Sequence, residues 1–243
     1  MPPLSAVIIT QDEAQRVGAA VASARPWVDE VLVVDGGSRD RTAQVAGNAG
    51  ARVVERRFDG FVAQKRAAVA AARHDHVVLL DADERIDPLL GAALVTASWE
   101  VVGYRVHRLN YLDGAPVRRS GWGGDRPLRV FDRRRAELVG REPHDRVEVD
   151  GPVGRLGGHL HHDVDRDTRA YVRATVAHAR RAAAAIASEG RPGPADAWLH
   201  AGVHFARKVL QGAPLDGRRG MTVAWVGAKG VERKYRLARR LAR

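Results

Sequence analysis

The chain has 243 residues, with 40 Lys and Arg against 29 Asp and Glu, for a formal net charge of +11. Cysteine is absent, which excludes disulfides, thiolate metal sites and a cysteine nucleophile, and suits a reducing, cytoplasmic compartment. The positive excess implies acidic partners, whether nucleic acid, anionic lipid or phosphorylated substrate, and charge alone does not choose among them.

Apolar residues make up 45% of the chain, so a sizeable core can form in one large domain, or in one domain with an appendage. The N-terminal "MPPLSAVIITQDE" lacks the basic and long apolar regions of a secretory signal. No apolar run approaches the roughly 18 residues that span a bilayer. A soluble protein, or one peripheral to the inner face of the cytoplasmic membrane, is expected.

In chain order, "SAVIIT" (Ser5–Thr10) reads as a buried strand, and Glu13–Arg25 as a helix with Val17, Val21 and Ala24 on one face. "DEVLVVDGG" (Asp29–Gly37) is a second strand stopped by a glycine pair, and "DRTAQVAGNAG" a helix ending at Gly50. "ARVVERR" is a third strand, Gly60–Arg73 a helix, and "HVVLLDAD" (His76–Asp83) a fourth strand. Asp87 and Pro88 then open another helix, as N-cap and first helical residue. This alternation predicts a doubly wound parallel sheet, whose ligands bind at the carboxyl ends of the strands. The polar groups there are Thr10–Glu13, Asp35–Asp40 and Asp81–Glu84.

After Val101 the pattern shifts to shorter strands, turn residues and many arginines, read as a β-rich half joined to the same sheet. Asp167–Glu189 is a helix with Tyr171, Val172, Val176, Ala179, Ala183 and Ile186 on its expected buried side. "GRPGP" (Gly190–Pro194) breaks it, and 195–243 is helical and strongly basic. The expected organisation is residues 1–166 as one α/β domain, divided into 1–100 and 101–166, with 167–243 as a helical extension.

In "VVLLDADERI" a buried strand runs into Asp81, Asp83 and Glu84. Alternate carboxylates at a strand end would face one point, and hard oxygen ligands suit Mg2+ or Mn2+, which usually also holds substrate phosphates. A polar strand end beside a helix cap is the plainer reading of the same residues. In "VVDGGSRDRT", Asp35 ends a buried strand where it can accept hydrogen bonds from a base or ribose, while Asp40 is placed to cap the next helix. No G-x-G-x-x-G follows the first strand and no G-x-x-x-x-G-K-[ST] occurs, which argues against a dinucleotide dehydrogenase and a P-loop enzyme.

Together, "SAVIITQDE", "VDEVLVVDGGSRDRT", "AQKRAA", "VVLLDADERI" and "GYRVHRLNY" resemble the family 2 glycosyltransferases with the GT-A fold. "GWGGDRPLRVF" (Gly121–Phe131), "PHDRVEVDGPVGRLGGHLHH" and "LDGRRGMTVAW" resemble the bacterial lipopolysaccharide core glucosyltransferase-like branch. The resemblance covers about Ser5 to Tyr235. It implies inverting transfer of a sugar from a nucleotide-diphosphate donor, of the UDP-linked class, to a glycan or glycolipid acceptor. It implies that Thr10 and Glu13 line the nucleotide pocket and that Asp35 contacts the uracil or ribose. Lys65 then lies near the donor, Asp81 near the ribose or sugar, and Asp83 binds the metal. Two positions depart from the family: Asp12 and Arg66 each stand where Asn is usual, which loosens the identity of the donor base.

An inverting transfer needs a general base on the acceptor side. The resemblance puts Asp145 there, where close relatives usually carry Glu, with Asp125 as the rival. The plainer readings are an ion pair of Asp145 with Arg141 or Arg146, and a turn role for Asp125. In "HLHHD", His161 matches the relatives' late histidine as an extra metal or diphosphate ligand, with a structural or solvent-facing histidine as the plainer reading, and His159 and His161 alternate along one side of a strand. The C-terminal segment, with Val203, Phe205, Val209, Leu210, Val223, Trp225, Val226 and Tyr235 among basic residues, reads as a membrane-surface helix or as a helix packed on the core with a solvated basic face. Competing functions are a sugar-nucleotide pyrophosphorylase, whose Gly-rich basic signature "TQDEAQRVG" does not supply, and a non-enzymatic binder of nucleic acid or membrane. No recognisable nucleic-acid module is present.

Overall fold

The computed structural model describes residues 2–141, 144–165 and 167–242; the side chains of Arg141, His144, Asp145 and Asp165 lie outside that description. The chain divides into two compact units, Met1–Arg108 with Arg126–His162, and Leu109–Asp125 with Asp163–Arg243. The expected boundary was 166/167; residues 109–125 group instead with the helical C-terminal part.

Along the chain run β1 (Leu4–Thr10), α1 (Val17–Ala24), β2 (Glu30–Asp35), α2 (Thr42–Asn48), β3 (Arg52–Glu55), α3 (Phe61–Ala71), β4 (His76–Asp81), β5 (Glu84–Ile86) and α4 (Pro88–Val95). Next come β6 (Gly103–Leu112), β7 (Ala115–Pro116), β8 (Leu128–Asp132), β9 (Ala136–Arg141), β10 (His144–Val149) and β11 (Val153–Asp165). The helices α5 (Thr168–Glu189), α6 (Asp196–Leu210) and α7 (Gly217–Leu241) complete the chain.

The sheet of the first unit has the order β3-β2-β1-β4-β8-β6-β11-β5. β3, β2, β1 and β4 are parallel neighbours. β8 then runs antiparallel to β4, and β6 antiparallel to β8. β9 and β10 form a separate two-stranded ribbon. This is the expected α/β architecture, with the β-rich half joined to the parallel sheet.

β1 is buried along its whole length because both of its faces are covered. Leu4, Ala6 and Ile8 pack with Val17, Val21, Ala46, Leu90 and Leu94 on one side. Val7 and Ile9 pack with Leu32, Leu79, Ala68, Val69 and Phe131 on the other. Burial on both faces explains the unbroken apolar runs of the parallel strands. Asp87 caps α4 as expected, its Oδ1 accepting from the Leu90 N–H at 2.7 Å. β11 passes close to that cap: Gly158 has φ +78°, and a Cβ there would sit 2.1 Å from the Leu90 backbone nitrogen. Only glycine tolerates both conditions.

In the second unit, α7 packs against α5 and against α6. Leu112, Val117 and Val223 form a small core with Trp122 and Tyr171. Asp167 caps α5 through the Ala170 N–H at 2.7 Å, and the helix stops before Gly190 as expected. Val172, expected on the buried side, is exposed; Ala179 and Ala183 are buried.

Candidate active site

The carboxyl ends of β1, β2 and β4 lie side by side in the first unit. Thr10 is opposite Asp35, and Asp81 is opposite Ile9. Asp35 is buried and accepts from Ser38, through its backbone N–H at 2.9 Å and its hydroxyl. The Gly36 N–H donates to the Thr10 carbonyl at 2.8 Å, and Gly37 takes φ +82°, so the second glycine makes the left-handed turn. Asp40 lies just before α2 and accepts from the Thr42 N–H at 2.9 Å and the Ala14 N–H at 3.3 Å, which hold its carboxyl below its ordinary pKa with the Thr42 hydroxyl as the largest contributor. Asp12, where the family usually has Asn, sits at φ +55° and accepts from the Arg39 N–H at 2.8 Å. Asn and Asp are the non-glycine residues that best tolerate that conformation, so the substitution preserves the turn.

The Asp-x-Asp pair divides. β4 ends at Asp81, and Ala82 and Asp83 form a turn before β5, so strand alternation does not extend to Asp83. Asp81 Oδ1 is 3.2 Å from Lys65 Nζ, and its Oδ2 accepts from Arg129 Nη2 at 2.7 Å. Burial raises the Asp81 pKa, but the charges of Arg129 and Lys65 and their hydrogen bonds outweigh it and hold the carboxyl well below the usual range. Glu84 is fully buried and takes Arg129 Nη2 at 2.8 Å, Arg108 Nη1 at 3.2 Å and the Asp81 N–H at 3.0 Å. Three cations therefore neutralise two carboxylates, which is how an apolar strand can end in acid.

Asp83 has other neighbours. Its Oδ2 is 3.7 Å from Arg16 Nη1 and 3.6 Å from His162 Nε2. Arg16 also grips Glu13, with its Nε at 2.6 Å and Nη2 at 2.7 Å from that carboxylate. Burial lowers the His162 pKa, but the Asp83 hydrogen bond and charge, with Glu84 behind, leave it raised overall. His161, the histidine the resemblance assigns, has Nε2 3.8 Å from Asp87 Oδ2, and His159 Nδ1 lies 3.2 Å from the same oxygen. Successive residues of a strand face opposite sides, so His159 and His161 share Asp87 and His162 meets Asp83.

At these strand ends two buried oxygens, Thr10 Oγ1 and Asp83 Oδ1, have no hydrogen-bond partner among the described residues. An unsatisfied buried carboxylate oxygen is costly, and a hard cation or a substrate hydroxyl would satisfy it. Among the described residues no three His, Asp or Glu side chains gather into a metal cage. The donor set fits an ion that takes most of its ligands from a bound diphosphate, as Mg2+ commonly does.

Arg66, the second departure from the family, turns away and donates to the Leu138 carbonyl at 2.9 and 2.6 Å. Of the two base candidates, the Asp145 backbone pairs opposite Gly140 in β10, and its side chain is outside the described residues. Asp125 lies in the second unit, with Asn110 Nδ2 3.5 Å from its Oδ2. Arg16, Arg108, Arg129 and His162 were not singled out by sequence, because an arginine in an arginine-rich chain carries no signal until the fold gives it a carboxylate.

Residues 5–102 match the family model "Glycosyl transferase family 2". This part of the chain, which holds β1 to β5 and their acidic ends, is thus similar to family 2 glycosyltransferases. Its relatives include a lipopolysaccharide core biosynthesis glycosyltransferase, LpsC, of Rhizobium meliloti, 32% identical over 170 residues, covering 65% of this chain and 63% of that one. An uncharacterized glycosyltransferase of Rickettsia felis is 41% identical over 86 residues, 35% of this chain and 30% of that one. Among solved structures, glucosyl-3-phosphoglycerate synthase from Mycobacterium tuberculosis, in complex with Mg2+ and UDP, is 25% identical over 46% of this chain and 44% of that one, at a TM-score of 0.37. The chain spans only 22% and 30% of the lengths of the first two curated relatives it matches.

Proposed function

We propose that this protein transfers a sugar, with inversion, from a nucleotide-diphosphate donor of the UDP-sugar class to a hydroxyl of a glycan or glycolipid acceptor. The observation that supports the reading is that Thr10, Asp35 and Asp81 end neighbouring parallel strands, with Asp83 in the turn that follows Asp81, inside the segment that matches the family 2 model. The likeness to LpsC supports an acceptor of the lipopolysaccharide core class.

In this reading Asp35 receives hydrogen bonds from the base or ribose, and Thr10 and Glu13 line the nucleotide pocket. Lys65 and Arg129 keep Asp81 ionised, so it remains an acceptor for ribose or sugar hydroxyls. Asp83, with His162 rather than His161 beside it, would hold Mg2+ or Mn2+, which when bound offsets the charge developing on the departing diphosphate. The acceptor proton passes to a carboxylate base, assigned to Asp145 with Asp125 as the alternative.

The test is a screen of UDP-, GDP- and dTDP-sugars, with and without Mg2+ or Mn2+, read as thermal stabilisation and sugar release. UDP-sugars should stabilise the protein only with metal present. If no nucleotide sugar shifts the transition under either condition, the reading is wrong.

A further inference from the structure

α6 is amphipathic in the wrong sense for a helix of a globular core. Its buried residues are the small Ala197 and Ala201. Four of its six large apolar side chains point outward, Trp198 at 58% exposed, Leu199 63%, Val203 60% and Leu210 88%, while Phe205 and Val209 are half-buried. At about 100° per residue these four fall within an arc of roughly 140°, a single face. The 3-10 turn that follows adds Leu215, 71% exposed.

The face continues onto α7 through Trp225, which is 58% exposed and meets Phe205 edge-on at 6.2 Å. Cations rim it. Lys229 Nζ lies 5.8 Å from the Trp198 ring and 5.2 Å from the Trp225 ring, and the Arg236 guanidinium lies 4.7 Å from Trp198. The unit that carries this face holds 19 Lys and Arg against nine Asp and Glu, a net +10 of the chain's +11. The sheet unit is close to neutral.

We propose that the outer face of α6, with Trp225 of α7, lies in the headgroup layer of an anionic bilayer. Aliphatic side chains and indole rings enter the acyl boundary, while the rimming Lys and Arg meet lipid phosphates. The charge selects among occupants. A second copy would bring a second +10 unit against the first. A nucleic acid would satisfy the cations but offer nothing to Leu199, Val203, Leu210 and Leu215. Among the described residues no helix is long and apolar enough to cross a membrane. The proposal does not depend on sugar transfer.

The experiment uses the full chain and sedimentation with vesicles of phosphatidylcholine, alone or mixed with phosphatidylglycerol. Wild type should bind the mixed vesicles, with a blue shift of tryptophan emission, and should bind phosphatidylcholine alone at least about tenfold more weakly, as headgroup attraction requires. The triple variant Leu199→Ser, Val203→Ser, Leu210→Ser should keep the wild-type thermal transition, since all three side chains are exposed, and should lose binding by about tenfold or more. Equal binding by wild type and variant overturns the proposal, because charge alone would then suffice. A wild-type dimer in light scattering that the variant converts to monomer also overturns it, and assigns the face to a second copy. So does tight binding of single-stranded RNA that the variant loses in parallel.

Discussion

Arg129 is the hinge of the acidic cluster, and its replacement by Met tests whether that cluster is scaffold. The change keeps most of the stem's volume and removes the guanidinium that reaches Asp81 at 2.7 Å and Glu84 at 2.8 Å. Glu84 is fully buried and would be left with Arg108 at 3.2 Å and the Asp81 N–H. Removing one partner of a buried ion pair costs about 3–5 kcal/mol. Because Arg108 and Lys65 remain, the low end, about 3 kcal/mol at neutral pH, is expected. For a chain of this size that corresponds to a fall in Tm of about 6–12 °C. The pH dependence follows from Asp81, whose carboxyl is held below its ordinary value chiefly by Arg129 against the opposing pull of burial. A depressed carboxylate contributes stability above its unfolded pKa, near 3.9, and loses it as pH falls toward the folded value. Wild type should therefore lose stability more steeply than the variant below about pH 4, and the gap between them should narrow there. Urea denaturation followed by circular dichroism, at neutral pH and in acid, measures both effects. A difference under about 1 kcal/mol at neutral pH, within the range of an exposed pair, refutes the reasoning, as does a gap that widens in acid.

Asp83→Ala should abolish metal-dependent nucleotide binding, and calorimetry showing wild-type affinity with Mg2+ present would remove Asp83 from that role. Asp35→Ala should weaken nucleotide binding, whereas Asp40→Ala should lower thermal stability and leave binding unchanged, since Asp40 serves the backbone N–H groups of Thr42 and Ala14; the reverse pattern would exchange these roles. Asp145→Asn should cut transfer by about 10² or more, as loss of a general base does. Donor affinity should hold, because the lost interaction belongs mainly to the transition state. Asp125→Asn should cost much less, and a complete loss of transfer there with Asp145→Asn active would move the base to Asp125.

The sequence by itself determined the parallel half of the sheet. Runs such as "AVIIT", "VLVVD" and "VVLLD" can be buried on both faces only as central strands, and Asp87-Pro88 announced its helix by local chemistry that needs no tertiary partner. It likewise placed Thr10, Asp35 and Asp81 at strand ends, because the carboxyl end of a strand is a position along the chain. Long-range pairing decided the rest. The end of β4 at Asp81 depends on β5, a three-residue strand that exists only because β11 returns to pair with it. The face on which each histidine of "HLHHD" lies was set by that same register, which gives His162 to Asp83 and His161 to Asp87. The outward face of α6 was hidden for a related reason. Sequence periodicity shows that a helix has an apolar stripe, and only packing shows whether the stripe faces the core; in α6 the alanines took the inside, and the tryptophan and leucines were left to the solvent.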